Sequence, residues 1–196
     1  MNKVIALDIG GVCIKLTPEK TFAFLGVTGI DQVPEEFLAA CDMIEKGKIS
    51  EPDWLTVFHE ISGEKHSDTE LIDAWNMLIG DDMDGMPELA EELVAAGFQL
   101  VFFSDIAIPH ACEVRRKLSF AHLVTGAVFS FEEGAKKPDN RMYQAFEKKY
   151  GQPCFYTDDR QNNIDSGIRN GWKSHTFTSS VALREAFLRE YPNALS

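Results

Sequence analysis

VIALDIGGV, residues 4–12, carries an apolar run to a carboxylate, Asp8, and then breaks at Gly10 and Gly11. Residues 4–7 are apolar without alternation, as in a strand buried on both faces of a parallel sheet with helices covering either side. In open sheets of this kind ligands bind beyond the carboxyl ends of the strands, where Asp8 falls. Taken alone, Asp8 fits equally the duller role of opening a turn, since Asp and Gly are ordinary turn residues.

Working outward, further strands are expected at 99–103, 127–130, 154–157 and 175–177, with helices at 87–96, 109–119, 140–150 and 162–170 between them. Strands and helices in alternation imply an α/β fold, a doubly wound parallel sheet. Between Asp8 and the second strand lie about ninety residues with little strand character, more than one crossover helix needs. The expectation is an inserted helical subdomain with helices at 35–46, 52–61 and 68–78; Pro34, Ser50 and Ser67 stand near their starts and Gly47, Gly63 and Gly80 near their ends. GDDMDG, residues 80–85, lacks the rest of a calcium-loop pattern and is expected to be a solvated acidic linker returning to the core. The division is thus residues 1–14 and 85–196 for the core domain and 15–84 for the helical subdomain.

With 19 Lys and Arg against 31 Asp and Glu, the formal net charge of −12 repels nucleic acid and anionic membranes. It leaves room for a small anionic substrate, because a bound cation and one or two basic side chains reverse the potential locally. No run of about 18 apolar residues occurs and MNKVIALDIGG contains no signal-peptide cleavage site, so a cytoplasmic protein is expected. Cys13, Cys41, Cys112 and Cys154 form no C-x-x-C and are expected as buried or half-buried free thiols. The histidines, His110 among them, show no metal-ligand spacing and are expected in surface or locally satisfied roles; Trp54 and Trp75 are expected in the core.

Polar residues recur where later strands or their turns end. Ser104 follows LVFF, Lys137 stands in GAKKPDNRMY, and Asp158 and Asp159 close CFYTDD. Separately each has a structural explanation: Ser104 and Asp105 as a turn pair, Lys137 as a solvated lysine beside Lys136, the acidic pair as a helix cap. Together they compose a site. Two carboxylates at neighbouring strand ends suit Mg2+, which keeps water and a phosphate oxygen among its ligands. A lysine and a serine hydroxyl then hold phosphoryl oxygens while Asp8 attacks phosphorus.

In these segments, in this order and over the whole length, the chain resembles the haloacid dehalogenase-like (HAD) hydrolase superfamily. DIGGV corresponds to its first motif, the strand ending in Ser104 to its second, Lys137-Pro138 to its third and YTDDRQNN to its fourth. The resemblance implies a Rossmann-like core with a helical cap inserted after the first motif, and an Mg2+-dependent phosphatase acting on a small phosphorylated metabolite, for instance a sugar phosphate. It implies Asp8 as nucleophile; Asp8, Asp159 and the Gly10 carbonyl as metal ligands; Asp158 as a water-mediated metal partner; and Ser104 and Lys137 as phosphoryl-binding groups. Asn163 falls where many relatives place a further acidic residue, and EKGKISEPDW, residues 45–54, is similar to a helix-turn-helix of cap segments in phosphatase members. There are two departures from the pattern. Gly10 replaces the usual acid-base aspartate, and Asp105 stands at the substrate-binding position after Ser104 that is often Asn. Two other readings therefore remain: 2-haloacid dehalogenation through an ester on Asp8, and a non-catalytic binding or regulatory protein.

Overall fold

The protein is described here by a computed structural model covering residues 2–63 and 65–195. In chain order the strands are β1 (Val4–Leu7), β2 (Ile14–Leu16), β3 (Ile79–Asp82), β4 (Gln99–Ser104), β5 (Val124–Phe129), β6 (Phe155–Asp158) and β7 (Ser174–Thr176). The α-helices are α1 (Pro18–Leu25), α2 (Glu35–Glu45), α3 (Glu51–Ser62), α4 (Asp68–Asn76), α5 (Met86–Ala95), α6 (Ile108–Lys117), α7 (Ser130–Glu133), α8 (Asn140–Tyr150), α9 (Gln161–Arg169) and α10 (Ser180–Glu190).

Five strands form a parallel sheet in the order β5-β4-β1-β6-β7. The chain winds outward from β1 on one side through β4 to β5, then crosses to β6 and β7 on the other, so β1 lies at the switch point of the sheet. Its alternate side chains serve two cores. Ile5 and Leu7 pack with Met86, Leu89 and Leu93 of α5, Val114 of α6 and Leu183 and Phe187 of α10. Val4 and Ala6 pack with Val101 and Phe103 of β4, Met142, Tyr143 and Phe146 of α8, Ile164 of α9, and Trp172. Both faces of β1 are therefore apolar, the physical reason its sequence does not alternate.

Helices α1 to α4 lie between β2 and β3 and build a third core around Phe37, Trp54, Phe58, Leu71 and Trp75. Ser50 and Ser67 each close a capping box, with Asp53 and Glu70 as the reciprocal partners. Ala107, just ahead of α6, belongs to the same cluster and joins this insert to the core sheet.

Several sequence expectations are corrected here. Residues 79–82 are not linker but β3, paired antiparallel with β2. Gly80 therefore sits in a strand rather than at a helix end, and α4 stops at Asn76 rather than at 78. Both ribbon strands are too short for a periodic signal, and the acidic Asp81 and Asp82 mask β3. β5 begins at Val124, three residues before the expected start; Gly126 inside it lets the Tyr150 hydroxyl approach and receive the Ala127 amide at 3.1 Å. Helices α1, α7 and α10 were not expected. Cys112 is exposed rather than buried, whereas Cys13 and Cys154 are buried and Cys41 half-buried.

Candidate active site

All the expected site residues converge beyond the carboxyl ends of β1, β4 and β6. Asp8 follows β1, Ser104 ends β4, Asp158 ends β6, and Lys137 reaches in from the loop before α8. Asp8, Gly10, Ser104, Asp105, Lys137, Asp159 and Asn163 border one cavity of about 150 Å³. That is small beside the roughly 300–1,000 Å³ of sites for drug-sized ligands.

Lys137 is the hinge of the electrostatics. Its ammonium, almost wholly buried, donates to Asp8 Oδ1 at 2.9 Å, Asp158 Oδ2 at 2.6 Å and the Phe103 carbonyl at 2.7 Å. Burial alone would lower its pKa, but Asp8, Asp158 and Asp105 outweigh that and hold the ammonium charged. Asp8 moves the other way. Burial, only partly offset by Lys137, pushes its carboxyl up to about 6. Asp158 stays below the usual carboxylate value despite burial, because Lys137, the Tyr156 hydroxyl at 2.7 Å and the Arg160 amide at 2.9 Å all donate to it.

Asn163 Nδ2 also donates to Asp158 Oδ1, at 3.0 Å, so both Asp158 oxygens are occupied by hydrogen bonds. Asp105 likewise serves the protein. Its Oδ1 accepts the Lys137 amide at 2.8 Å, which orients the lysine loop. Oxygens of Asp8, Asp158 and Asp159 nevertheless lie within 4.8 Å of one another, and the exposed Asp159 carboxylate accepts a hydrogen bond from its own backbone amide but from no other described residue. Asn163 Oδ1 is buried without a partner on the same wall. Gly11 has φ +74°, and a Cβ there would sit 2.6 Å from Asp159 Oδ2; glycine is what lets the first loop lie against this carboxylate.

Other residues of the site were not found from the sequence. Lys136, expected as a solvated lysine, instead pairs with Glu45 at 2.5 Å and Asp42 at 3.2 Å, tying the end of α2 to the core beside the cavity. The buried Ser130 hydroxyl adds a bond to the Glu45 carbonyl at 2.5 Å. Leu16 and Ile79 of the ribbon, with Leu78, border the same cavity. His110 borders it too, is buried, and places Nε2 3.1 Å from the Trp75 carbonyl. Nothing in the local sequence marks these residues, because each meets the site only through contact between the insert and the sheet.

No protein-family model and no curated protein sequence matches the chain. Solved structures do. The HAD-family enzyme BT-2542 of Bacteroides thetaiotaomicron superposes with a TM-score of 0.79 at 21% identity, over 90% of this chain and 94% of that one. BT-2542 has also been solved in complex with magnesium and inorganic phosphate. A predicted HAD-like family hydrolase of Porphyromonas gingivalis gives 0.76 at 19% identity, covering 96% and 97%. L-2-haloacid dehalogenase of Xanthobacter autotrophicus gives 0.62 at 13% identity, covering 94% and 82%. The order of strands around β1, the helices inserted after the first motif and these superpositions agree, and the chain has the fold of the HAD-family enzymes.

Proposed function

We propose that this protein is an Mg2+-dependent hydrolase of the HAD superfamily that cleaves a small phosphomonoester through an aspartyl phosphate on Asp8. The observation that carries the reading is Lys137, buried between Asp8 and Asp158 on a wall shared with the Ser104 hydroxyl, which has no partner among the described residues. A buried ammonium with two carboxylates and an unengaged hydroxyl at strand ends suits a phosphoryl group brought to a carboxylate nucleophile. BT-2542, of the same fold, binds magnesium and phosphate.

The donor set fits a hard divalent cation, as the clustered carboxylates and the orphaned Asn163 Oδ1 indicate. Asp8, Asp159 and the Gly10 carbonyl would hold Mg2+, and Asn163 would accept from a water around it. When bound, the metal screens the repulsion between the nucleophile and the phosphoryl oxygens. Asp8 attacks phosphorus, the ester P–O bond breaks and the leaving oxygen takes a proton from water, Gly10 offering no acid, while Ser104 and Lys137 hold the phosphoryl oxygens. Water then attacks the aspartyl phosphate and returns Asp8 as a carboxylate with inorganic phosphate. Asp158 and Asp105 act through Lys137, fixing its side chain and its amide respectively. The insert over residues 15–84 serves as the cap, with Leu16, Leu78 and Glu45 limiting what reaches Asp8.

Dehalogenation is the less suited reading, because an ester-forming dehalogenase has no use for the cation-binding arrangement around Asp159. Phosphate release from a panel of phosphomonoesters, with and without Mg2+ and with Asp8→Asn as the blank, tests the proposal. Release that is metal-independent or survives Asp8→Asn contradicts it.

A further inference from the structure

His110 stands in the first turn of α6, and its ring lies on Trp75 of α4 with centroids 4.1 Å apart. Nε2 faces the Trp75 carbonyl at 3.1 Å. A carbonyl only accepts, so Nε2 carries the proton and Nδ1 keeps a lone pair. That Nδ1 has no hydrogen-bond partner among the described residues, and His110 borders the cavity that holds Asp8, Ser104 and Lys137. Burial pulls the imidazole down to about 4, which keeps the ring neutral and Nδ1 an acceptor at neutral pH.

Some other polar groups bordering the cavity already have partners, and the unpartnered Ser104 hydroxyl, Asp159 carboxylate and Asn163 Oδ1 are given to the phosphoryl group and the cation in the reading above. Lys136 and Glu45 hold each other, and Asp105 holds the Lys137 amide. Oxygens of a phosphoryl dianion accept and do not donate, so they have nothing to offer Nδ1. The chemical complement of a fixed acceptor is a hydroxyl on the leaving group.

We propose that His110 Nδ1 is the specificity-determining acceptor for a leaving-group hydroxyl, so that hydroxylated alkyl phosphomonoesters are preferred over their deoxy counterparts. The inference rests on the phosphohydrolase reading above and narrows its substrate class. A neutral hydrogen bond is worth about 0.5–1.5 kcal/mol, which corresponds to roughly a 2- to 13-fold preference.

The test is kcat/KM for glycerol 1-phosphate relative to propyl phosphate, with Mg2+-dependent hydrolysis of p-nitrophenyl phosphate as a separate measure of the basic activity. Wild type should favour the hydroxylated ester about 2- to 13-fold. His110→Gln keeps a donor for the Trp75 carbonyl but no acceptor at the Nδ1 position, and should bring the ratio close to one. His110→Asn keeps an acceptor near Nδ1 and should retain much of the preference. His110→Phe, which preserves the ring on Trp75, should lose it as the glutamine variant does. A wild-type ratio near one, or an unchanged ratio in His110→Gln or His110→Phe, overturns the inference while p-nitrophenyl phosphate turnover leaves the phosphohydrolase reading standing. No Mg2+-dependent turnover of any of the three esters removes both.

Discussion

Lys137→Met keeps the length of the side chain and deletes its charge, which isolates what the ammonium does. In the native protein it faces Asp8 at 2.9 Å and Asp158 at 2.6 Å, both carboxylates being buried. Without it two anions share a water-poor site with no counter-charge, and breaking a buried pair of this kind costs about 3–5 kcal/mol. For a chain of this size that amounts to a fall in Tm of about 6–20 °C. The sign with pH follows from Asp8. Its carboxyl is already raised by burial to about 6, and losing Lys137 raises it further. The variant therefore holds a proton that the unfolded chain releases near pH 4, and its stability relative to wild type falls as pH rises through that window. Urea unfolding of both proteins at about pH 7.5 and pH 5 measures this. The deficit should be largest at the higher pH, shrink at the lower, and be partly restored by Mg2+. A deficit under about 1 kcal/mol at pH 7.5, or one that grows on acidification, refutes the reasoning.

Other outcomes follow from the same geometry. Mg2+ binding should expel the Asp8 proton, releasing close to one proton per site near pH 5 and almost none near pH 7.5; titration calorimetry in buffers of different ionisation enthalpy reads this, because the free carboxyl titrates at about 6. Asp159→Ala should weaken that binding at least about 10-fold with the fold intact, checked by the same titration and circular dichroism. Lys136→Ala should raise KM more than it lowers kcat, since it removes the ties to Glu45 and Asp42 but not the phosphoryl-binding lysine; a fall in kcat equal to that of Lys137→Met counts against this. Gly10→Asp should narrow the gap between aryl and alkyl phosphates, because a positioned acid contributes about 100- to 10,000-fold. The backbone permits that variant, since Gly10 is not among the glycines with positive φ, and the atoms nearest a Cβ there belong to the Leu16 side chain, which at 3.2 Å must shift by a few tenths of an ångström. A slope of rate against leaving-group acidity that is shallow in both proteins would show that protonation is handled elsewhere.

What the sequence disclosed, and what it hid, follow from how each residue reaches the site. Asp8, Ser104 and Asp158 end buried strands whose apolar runs are long enough to read, so their convergence follows from the parallel sheet itself. Lys137 precedes α8, a helix whose 140–150 span is legible from its composition, and it needed only the motif order to be placed. Asp158 and Asp159 are adjacent and chemically alike; only the structure shows that the first is consumed by Lys137, Tyr156, Arg160 and Asn163 while the second accepts from no other described residue. The β2–β3 ribbon is three and four residues per strand, below the length at which alternation is informative. The Lys136–Glu45 pair and the seat of His110 on Trp75 are contacts between distant segments, set by how the insert packs on the sheet, and no local pattern encodes them.

The central claim is that Asp8 carries the phosphoryl group, and trapping the intermediate tests it most directly. The protein is mixed with Mg2+ and a hydrolysable phosphomonoester, quenched in acid during turnover, reduced with borohydride and digested for peptide mass spectrometry. An acyl phosphate on a carboxylate is reduced to the alcohol, so homoserine should appear at position 8, only with Mg2+ and substrate present, and not in Asp8→Asn. Steady phosphate release with no modification at Asp8, or with the modification on another carboxylate, would contradict the account.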